Sequence, residues 1–231
     1  INAWTANFLP FLSGSAVLVS SDMIISEPIK YKLQSLGLNN GLVILDSNLF
    51  THYSRTTPDG KIILGKGGNT FSFRNKVIDS FDGPSTIEKL LKKSLLSFYP
   101  SLKDAKITTS WNGPSERTKT GFPFFGYHPK NKNISYAFGY SGNGVLTCHV
   151  GGEILSSMTL DENNKWTDSN FCKGPLKNFP PEPFRWLGAM IIRNAVRRKE
   201  NAQEKEINPK WIDKQLAKIA VSVGRVDFEK K

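Results

Sequence analysis

Phe138-Gly139-Tyr140-Ser141-Gly142-Asn143-Gly144-Val145 joins an apolar, strand-like run, Ile134 to Phe138, to an apolar segment of helical character, Val145 to Met158. Glycine at such a junction tolerates φ > 0 and lets the backbone approach a flat ligand closely. The helix that follows opens with unpaired N–H groups and a partial positive charge, which suits an anionic or electron-rich ligand edge. On spacing alone the stretch serves any phosphate or carboxylate, and it also reads as an ordinary glycine-rich turn. Its neighbours carry the decision.

Working outward, Ala105 to Trp111 reads as a strand ahead of Ser110-Trp111-Asn112-Gly113-Pro114-Ser115-Glu116-Arg117-Thr118 and Gly121-Phe122-Pro123-Phe124-Phe125-Gly126. Further upstream, Ser85-Thr86-Ile87-Glu88 has the pattern of a capping box. It precedes Ile87, Leu90, Leu91, Leu95 and Phe98 at helical spacing, and Pro100 ends the run. Residues 49–55 and 61–64 flank Pro58-Asp59-Gly60 and read as a hairpin. On its first strand His52 faces one side, while Tyr53 and Arg55 share the other. Residues 15–19 and 23–25 read as strand, closed by Glu27-Pro28. Downstream, Pro183 opens a helix with Phe184, Leu187, Gly188, Ile191 and Ala195 on its apolar face. Pro209 opens a shorter one with Ile212, Leu216, Ile219 and Ala220 together.

In this order, these segments with Phe179-Pro180-Pro181-Glu182-Pro183-Phe184-Arg185-Trp186-Leu187-Gly188 resemble the C-terminal half of FAD-dependent oxidoreductases of the D-amino-acid-oxidase-like (DAO) superfamily. The closest look is to the amine-oxidising branch typified by gamma-glutamylputrescine oxidase. Ile1-Asn2-Ala3-Trp4-Thr5 is similar to that family's "TNAW" segment, and Tyr53-Ser54-Arg55-Thr56-Thr57-Pro58-Asp59-Gly60-Lys61 to its mid-chain hairpin. The resemblance implies an α+β fold: a mostly antiparallel substrate-domain sheet with flanking helices, plus C-terminal return elements of a FAD-binding domain. The implied division is 1–110, a substrate-binding sheet domain with a helix near 85–99, and 111–231, a flavin-contacting return segment with C-terminal helices.

The family binds the FAD pyrophosphate through an N-terminal G-x-G-x-x-G turn. Gly65-Lys66-Gly67-Gly68-Asn69-Thr70 is the nearest match, and Phe71-Ser72-Phe73 follows it in place of a periodic helix, so it reads as a strand-end turn. The chain opens with Ile, not Met. The expectation is therefore a fragment whose Rossmann part is absent and which needs an N-terminal FAD-binding half as partner.

By the same resemblance, Gly113, Gly139, Ser141, Gly142, Asn143, Gly144 and Val145 would touch the flavin. Tyr53, Arg55 and Trp111 would line the substrate side, with Arg55 able to meet a carboxylate. The alternatives are a cross-strand arginine for Arg55 and a core residue for Trp111. No catalytic residue is assigned. FAD would be held noncovalently, because Ser110-Trp111-Asn112 offers no thiol where some members attach it. The implied reaction is hydride transfer from a primary or secondary amine or amino acid to the flavin. A non-catalytic remnant or interaction module of the same fold is the alternative, and a basic nucleic-acid-binding domain ranks behind it.

Composition narrows the field. The chain has 231 residues, 39% hydrophobic and 11% aromatic, enough for a core of one or two domains. Cys148 and Cys172 form no disulfide framework or metal pattern, and a reducing, cytoplasmic setting is expected. The formal charge of +11 admits anionic partners. Yet Arg193, Arg197, Arg198 and Lys199 are followed by Glu200, Glu204 and Glu206, as on a solvated helix face, so nucleic acid is not expected as a partner. No apolar run approaches membrane-spanning length, and no membrane partner is expected. G-x-S-x-G, C-x-x-C and H-E-x-x-H are absent, which removes the chemistries those motifs carry. His128 and His149 lack spaced ligand partners and read as non-catalytic, with no metal expected.

Overall fold

The computed structural model describes residues 3–175 and 177–222. Ile1 and Asn2 of the opening segment lie outside the described residues. The elements are α1 (Thr5–Phe8), β1 (Ala16–Ser26), α2 (Lys30–Ser35), β2 (Val43–Leu45), β3 (His52–Thr56), β4 (Ile62–Phe71), α3 (Glu88–Phe98), β5 (Ile107–Thr118), β6 (Phe124–His128), β7 (Asn131–Phe138), α4 (Gly144–Thr159), α5 (Phe184–Glu204) and α6 (Trp211–Ser222). They form two compact units. A sheet unit comprises 19–70 and 77–114, and a loop unit takes in the described residues up to 18, 71–76 and those from 115 onward. Among the described residues no helix is long and apolar enough to cross a membrane.

The sheet unit is built on five strands in the order β2-β3-β4-β1-β5, with the β2–β3 and β3–β4 pairs antiparallel. The expected hairpin is β3–β4, pairing His52 with Lys66 and Thr56 with Ile62. Where two short strands were expected near residues 15–25, β1 runs unbroken for 11 residues. Its polar centre does not interrupt it because each polar group finds a partner. The Ser20 and Ser85 hydroxyls donate to the two oxygens of the buried Asp22 carboxylate, both at 2.8 Å. The Thr70 N–H in turn donates to Ser20 Oγ at 3.0 Å.

The stretch 65–70 is no strand-end turn, since β4 continues through it. Gly65 fits there because a Cβ would collide with the Met23 sulfur and the Tyr53 ring. Beneath the sheet, Leu91 and Leu95 of α3 pack with Ile24, Leu33, Leu38, Ile62, Leu64 and Leu102. Truncating such a leucine to alanine costs about 2–5 kcal/mol. The capping box expected ahead of α3 does not form. Ser85 spends its hydroxyl proton on Asp22, and the Glu88 carboxylate accepts from Ser110 Oγ at 2.5 Å. The Ile87 N–H still reaches Ser85 Oγ, at 3.2 Å.

In the loop unit, the β6–β7 hairpin has apolar residues on both faces. Phe124, Tyr136 and Phe138 pack with Leu9, Leu12 and Ala16 on one side. Phe125 and Ala137 meet Ile154 and Met158 of α4 on the other. The apolar stripe expected to anchor α5 is covered only toward its end: Phe184, Leu187 and Ile191 are exposed and Ala195 is buried, together with Arg185, Val196 and Glu200. On α6, Ile212 and Ile219 are exposed and Asp213 and Ala217 are buried.

Polar anchoring explains the rotation of α5. Glu182 accepts from Arg185 Nη2 at 2.8 Å and from the backbone N–H of Arg74 and Trp186, each at 3.0 Å. Arg185 Nη1 donates to the Ser13 carbonyl at 2.6 Å. Burial alone would raise the Glu182 carboxyl, but these bonds outweigh it and hold the group below the usual carboxylate range. Breaking such a buried pair by removing one partner costs about 3–5 kcal/mol.

Candidate functional site

Gly139, Ser141 and Gly142 all take left-handed backbone, with φ of 85°, 53° and 89°. The chain thereby folds back on itself between β7 and α4, and the Asn143 N–H closes the turn on the Tyr140 carbonyl at 2.9 Å. Ser141 is the one of the three with a side chain, and its hydroxyl holds the shape. It accepts the Thr118 N–H at 3.1 Å, lies 3.2 Å from Thr118 Oγ1 and donates to the Gly139 carbonyl at 3.1 Å. Gly139 is buried, and a Cβ there would strike the Thr118 methyl. At Gly142 a Cβ would sit 3.0 Å from both terminal nitrogens of Arg117.

The end of β5 thus braces the loop residue by residue. Arg117 is itself oriented by Nη1 bonds to Ser115 Oγ at 2.7 Å and to the Glu116 carbonyl at 3.0 Å. Burial pushes the Glu116 carboxyl up, and its own backbone N–H, Arg117 and the Tyr140 N–H only partly oppose this. The Tyr140 phenol is raised as well, first by burial and then by Cys148 and Glu116 nearby.

Beyond the braced loop the surface is open. Gly142 and Asn143 are exposed, and Val145 and Leu146 on the first turn of α4 are 96% and 82% exposed. No Asn143 side-chain bond caps the 16-residue helix, and its first turn carries no acidic residue. The terminal N–H groups and the positive end of the helix dipole therefore face outward beside a bare backbone.

The sheet unit offers a second surface. Tyr53 Oη lies 2.5 Å from Ser21 Oγ, on the face where Met23 and Gly65 meet the Tyr53 ring. Tyr53 is half-buried and Arg55 exposed, while His52 and Ser54 are buried on the opposite face. There His52 Nδ1 is 2.6 Å from Asp46 Oδ2, and Phe98 stands edge-on to the imidazole. Trp111 and Gly113 are half-buried on β5, with open space where a Gly113 Cβ would be. The structure therefore gathers Gly139, Ser141, Gly142, Asn143, Gly144 and Val145 in one loop of the loop unit. Tyr53, Arg55, Trp111 and Gly113 belong to the sheet unit.

Sequence reasoning left Glu116, Arg117 and Thr118 without a role, although they lie inside a motif it had singled out. It also passed over Ser21 and Met23. Nothing in local spacing ties Thr118 to Ser141, because the bond spans 23 residues.

The model of the family described as FAD dependent oxidoreductase (DAO) matches residues 1–158. The chain belongs to that family. Among its relatives is the gamma-glutamylputrescine oxidoreductase of Escherichia coli, 28% identical over 185 residues, covering 78% of this chain and 40% of the relative. The probable oxidoreductase OrdL of Haemophilus influenzae is 26% identical over 147 residues, 64% of this chain and 31% of its own. The matched stretch thus covers less than half the length of either.

Among solved structures, glycine oxidase from Geobacillus kaustophilus superposes with a TM-score of 0.54 at 16% identity, over 78% of this chain and 44% of that one. A fructosyl peptide oxidase from Aspergillus nidulans gives 0.62 at 14%, over 77% and 44%. These likenesses support the mixed fold with antiparallel sheets. The family is FAD-dependent, and the braced loop carries the backbone features that a flat, electron-rich ring edge calls for. It presents left-handed backbone at three positions and a helix start with no side-chain cap.

Proposed function

We propose that this chain is the substrate-domain portion, with flavin-contacting return elements, of an FAD-dependent oxidoreductase acting on a primary or secondary amine or amino acid. The observation that carries the reading is the loop at 139–144, left-handed at three positions and braced by Thr118 and Arg117. Such bracing leaves the loop one shape, as a surface that orients a flat ring requires.

When bound, FAD supplies the two-electron acceptor for oxidation of a C–N bond. Gly139, Ser141, Gly142, Asn143, Gly144 and Val145 would hold the ring edge, and Gly113 would be a further flavin contact. The start of α4 would offer positive potential to an electron-rich ring edge. Tyr53 and Trp111 would line the substrate side and exclude water, with the Tyr53 hydroxyl fixed by Ser21. Arg55 would receive an anionic substrate group. Among the relatives, one is named for a glutamylated amine and others are glycine oxidases, and both kinds of name describe compounds with nitrogen beside an oxidisable carbon. The pyrophosphate and ribose of the cofactor would be held by an N-terminal FAD-binding half, as the partner of this chain.

The test is flavin retention. The chain is combined with a complementing FAD-binding polypeptide and desalted, and the visible spectrum is recorded for the wild type and Gly142→Val. A flavin band in the wild type that falls at least about tenfold in affinity in the variant is expected, because a larger side chain would push into Arg117. Equal flavin affinity in the two would remove the loop from the site.

A further inference from the structure

The sheet unit contains a cavity of about 360 Å³ lined by Lys30, Leu33, Leu38, Arg55, Thr56 and Pro58, among others. That is within the range of small-molecule sites, roughly 300–1,000 Å³. We infer that this cavity recognises the carboxylate of a small organic acid. The inference shares Arg55 with the function proposed above. Its test needs no flavin, so the two readings fail separately.

Charge is the first argument. Among the described residues neither the Lys30 nor the Arg55 side chain makes a hydrogen bond or ion pair. Neighbouring acids are already engaged. Asp59 is held by Lys61 at 2.8 Å and by the Thr57 hydroxyl at 2.5 Å, and Asp104 lies 4.0 Å from Lys32. Two cations are left facing one cavity. An arginine fork takes both oxygens of a carboxylate, and a lysine adds a mobile point charge.

Wall chemistry is the second. Leu33, Leu38 and Pro58 give the cavity apolar sides, so a ligand with a short carbon segment gains contact there that a bare inorganic anion cannot. Threonines 56 and 57 add hydroxyls beside the cations.

Rigidity is the third. Gly60 has a φ of +79°, and a Cβ there would come within 2.8 Å of Lys30 Cβ, so the hairpin turn presses directly on the start of α2. The Ile29 N–H donates to the Gly60 carbonyl at 2.8 Å and pins the same junction. Leu33 and Leu38 belong to the buried core, which fixes the opposite wall. The walls are thus fixed before a ligand arrives, and the ordering that binding still requires is that of the Lys30 and Arg55 side chains.

Calorimetry and NMR titration of the chain with butyrate, 4-aminobutyrate, butylamine and inorganic phosphate form the test. Butyrate is expected to bind and to shift the amides of Thr56 and Thr57 and the methyls of Leu33 and Leu38, whereas butylamine leaves them in place. Lys30→Gln and Arg55→Gln should each weaken butyrate by about tenfold or more, the worth of a charged hydrogen bond. Both side chains are exposed, so the fold should persist in the variants, with thermal midpoints within a few degrees as a check. Tighter binding of 4-aminobutyrate than of butyrate identifies the carboxylate as part of an amine substrate. Equal binding identifies a free organic acid. Absence of butyrate binding, shifts elsewhere in the molecule, or full affinity in both variants overturns the site. Phosphate binding as tight as butyrate overturns its organic character.

Discussion

The loop at 139–144 and the hairpin turn at 57–61 are both glycine-bearing reversals, yet they are held in opposite ways. The turn closes mainly on its own bonds, with one further bond from the Ile29 N–H to the Gly60 carbonyl. Thr57 Oγ1 donates to Asp59 and accepts the Lys61 N–H at 3.0 Å, and the Thr57 and Gly60 amides close on Lys61 and Thr57. The loop depends on β5, through Thr118, Arg117 and Glu116, more than twenty residues upstream. A reversal with local bonds can form as soon as its own residues exist, while one with remote bonds takes its shape from the folded unit. The remote kind suits a surface that must meet a ligand in one geometry, since its conformation is part of the global fold and melts with it.

That contrast can be broken experimentally. Gly139→Ala should have the largest effect, about 3 kcal/mol, because it combines a left-handed φ with a collision against Thr118. A urea midpoint unchanged from the wild type would show that the loop is not anchored to β5. Ser141→Ala should cost about 1–2 kcal/mol, since the Thr118 N–H loses its acceptor in a partly buried position. A smaller loss than this would shift the anchoring to Arg117.

The Asp46–His52 clasp has an intermediate span and sharpens the comparison through pH. Burial acts to raise the Asp46 carboxyl, but the His52 ring and backbone N–H and Asn48 outweigh it and hold the group below its ordinary value. Its stabilisation is therefore complete above the ordinary carboxylate range and fades as pH falls through the folded value. Asp46→Asn should lose about 1 kcal/mol at neutral pH and flatten the acid limb of the stability curve. A variant with the wild-type acid limb would exclude Asp46 from it. Thr57→Ala should have the smallest effect, about 0.5 kcal/mol by thermal melting, because water replaces a partly exposed bond. A loss as large as that of Ser141→Ala would erase the distinction between the two reversals.

What was legible in the sequence follows the same division. The β3–β4 hairpin shows through Pro58-Asp59-Gly60, and α3 through its apolar spacing, since the residues that stabilise each lie within a few positions. Short β2 carries no such signal, because Val43, Ile44 and Leu45 are exposed and paired on one side only. The strand Phe124–His128 hides behind Pro123 and Gly126, which suggest turns. Gly126 instead makes room for the Tyr136 hydroxyl, 2.7 Å from where a Cβ would sit. The buried faces of α5 and α6 were misread because charge pairs orient them: Arg185 with Glu182, and Arg198 with Asp213 at 2.7 Å. At the candidate site, the glycines of 139–144 were visible as an interruption of apolar periodicity. Their brace was not, because it rests on contacts that exist only after β5 and β7 have met.

Asn75 ties the segment 71–76 into the loop unit, accepting the Leu18 N–H at 3.0 Å and donating to the Ser13 and Ala16 carbonyls at 2.9 Å each. The chain therefore passes between units at 18/19, 70/71, 76/77 and 114/115. During synthesis the sheet unit is complete once residue 114 has emerged. The first segment of the loop unit must wait much longer, since Ser13 meets Arg185 across 172 residues of chain. Order of assembly is thus written into the threading. Residues 13–18 are secured only after Arg185 has been made, and no single cut in the chain separates two units that could each fold from one continuous piece.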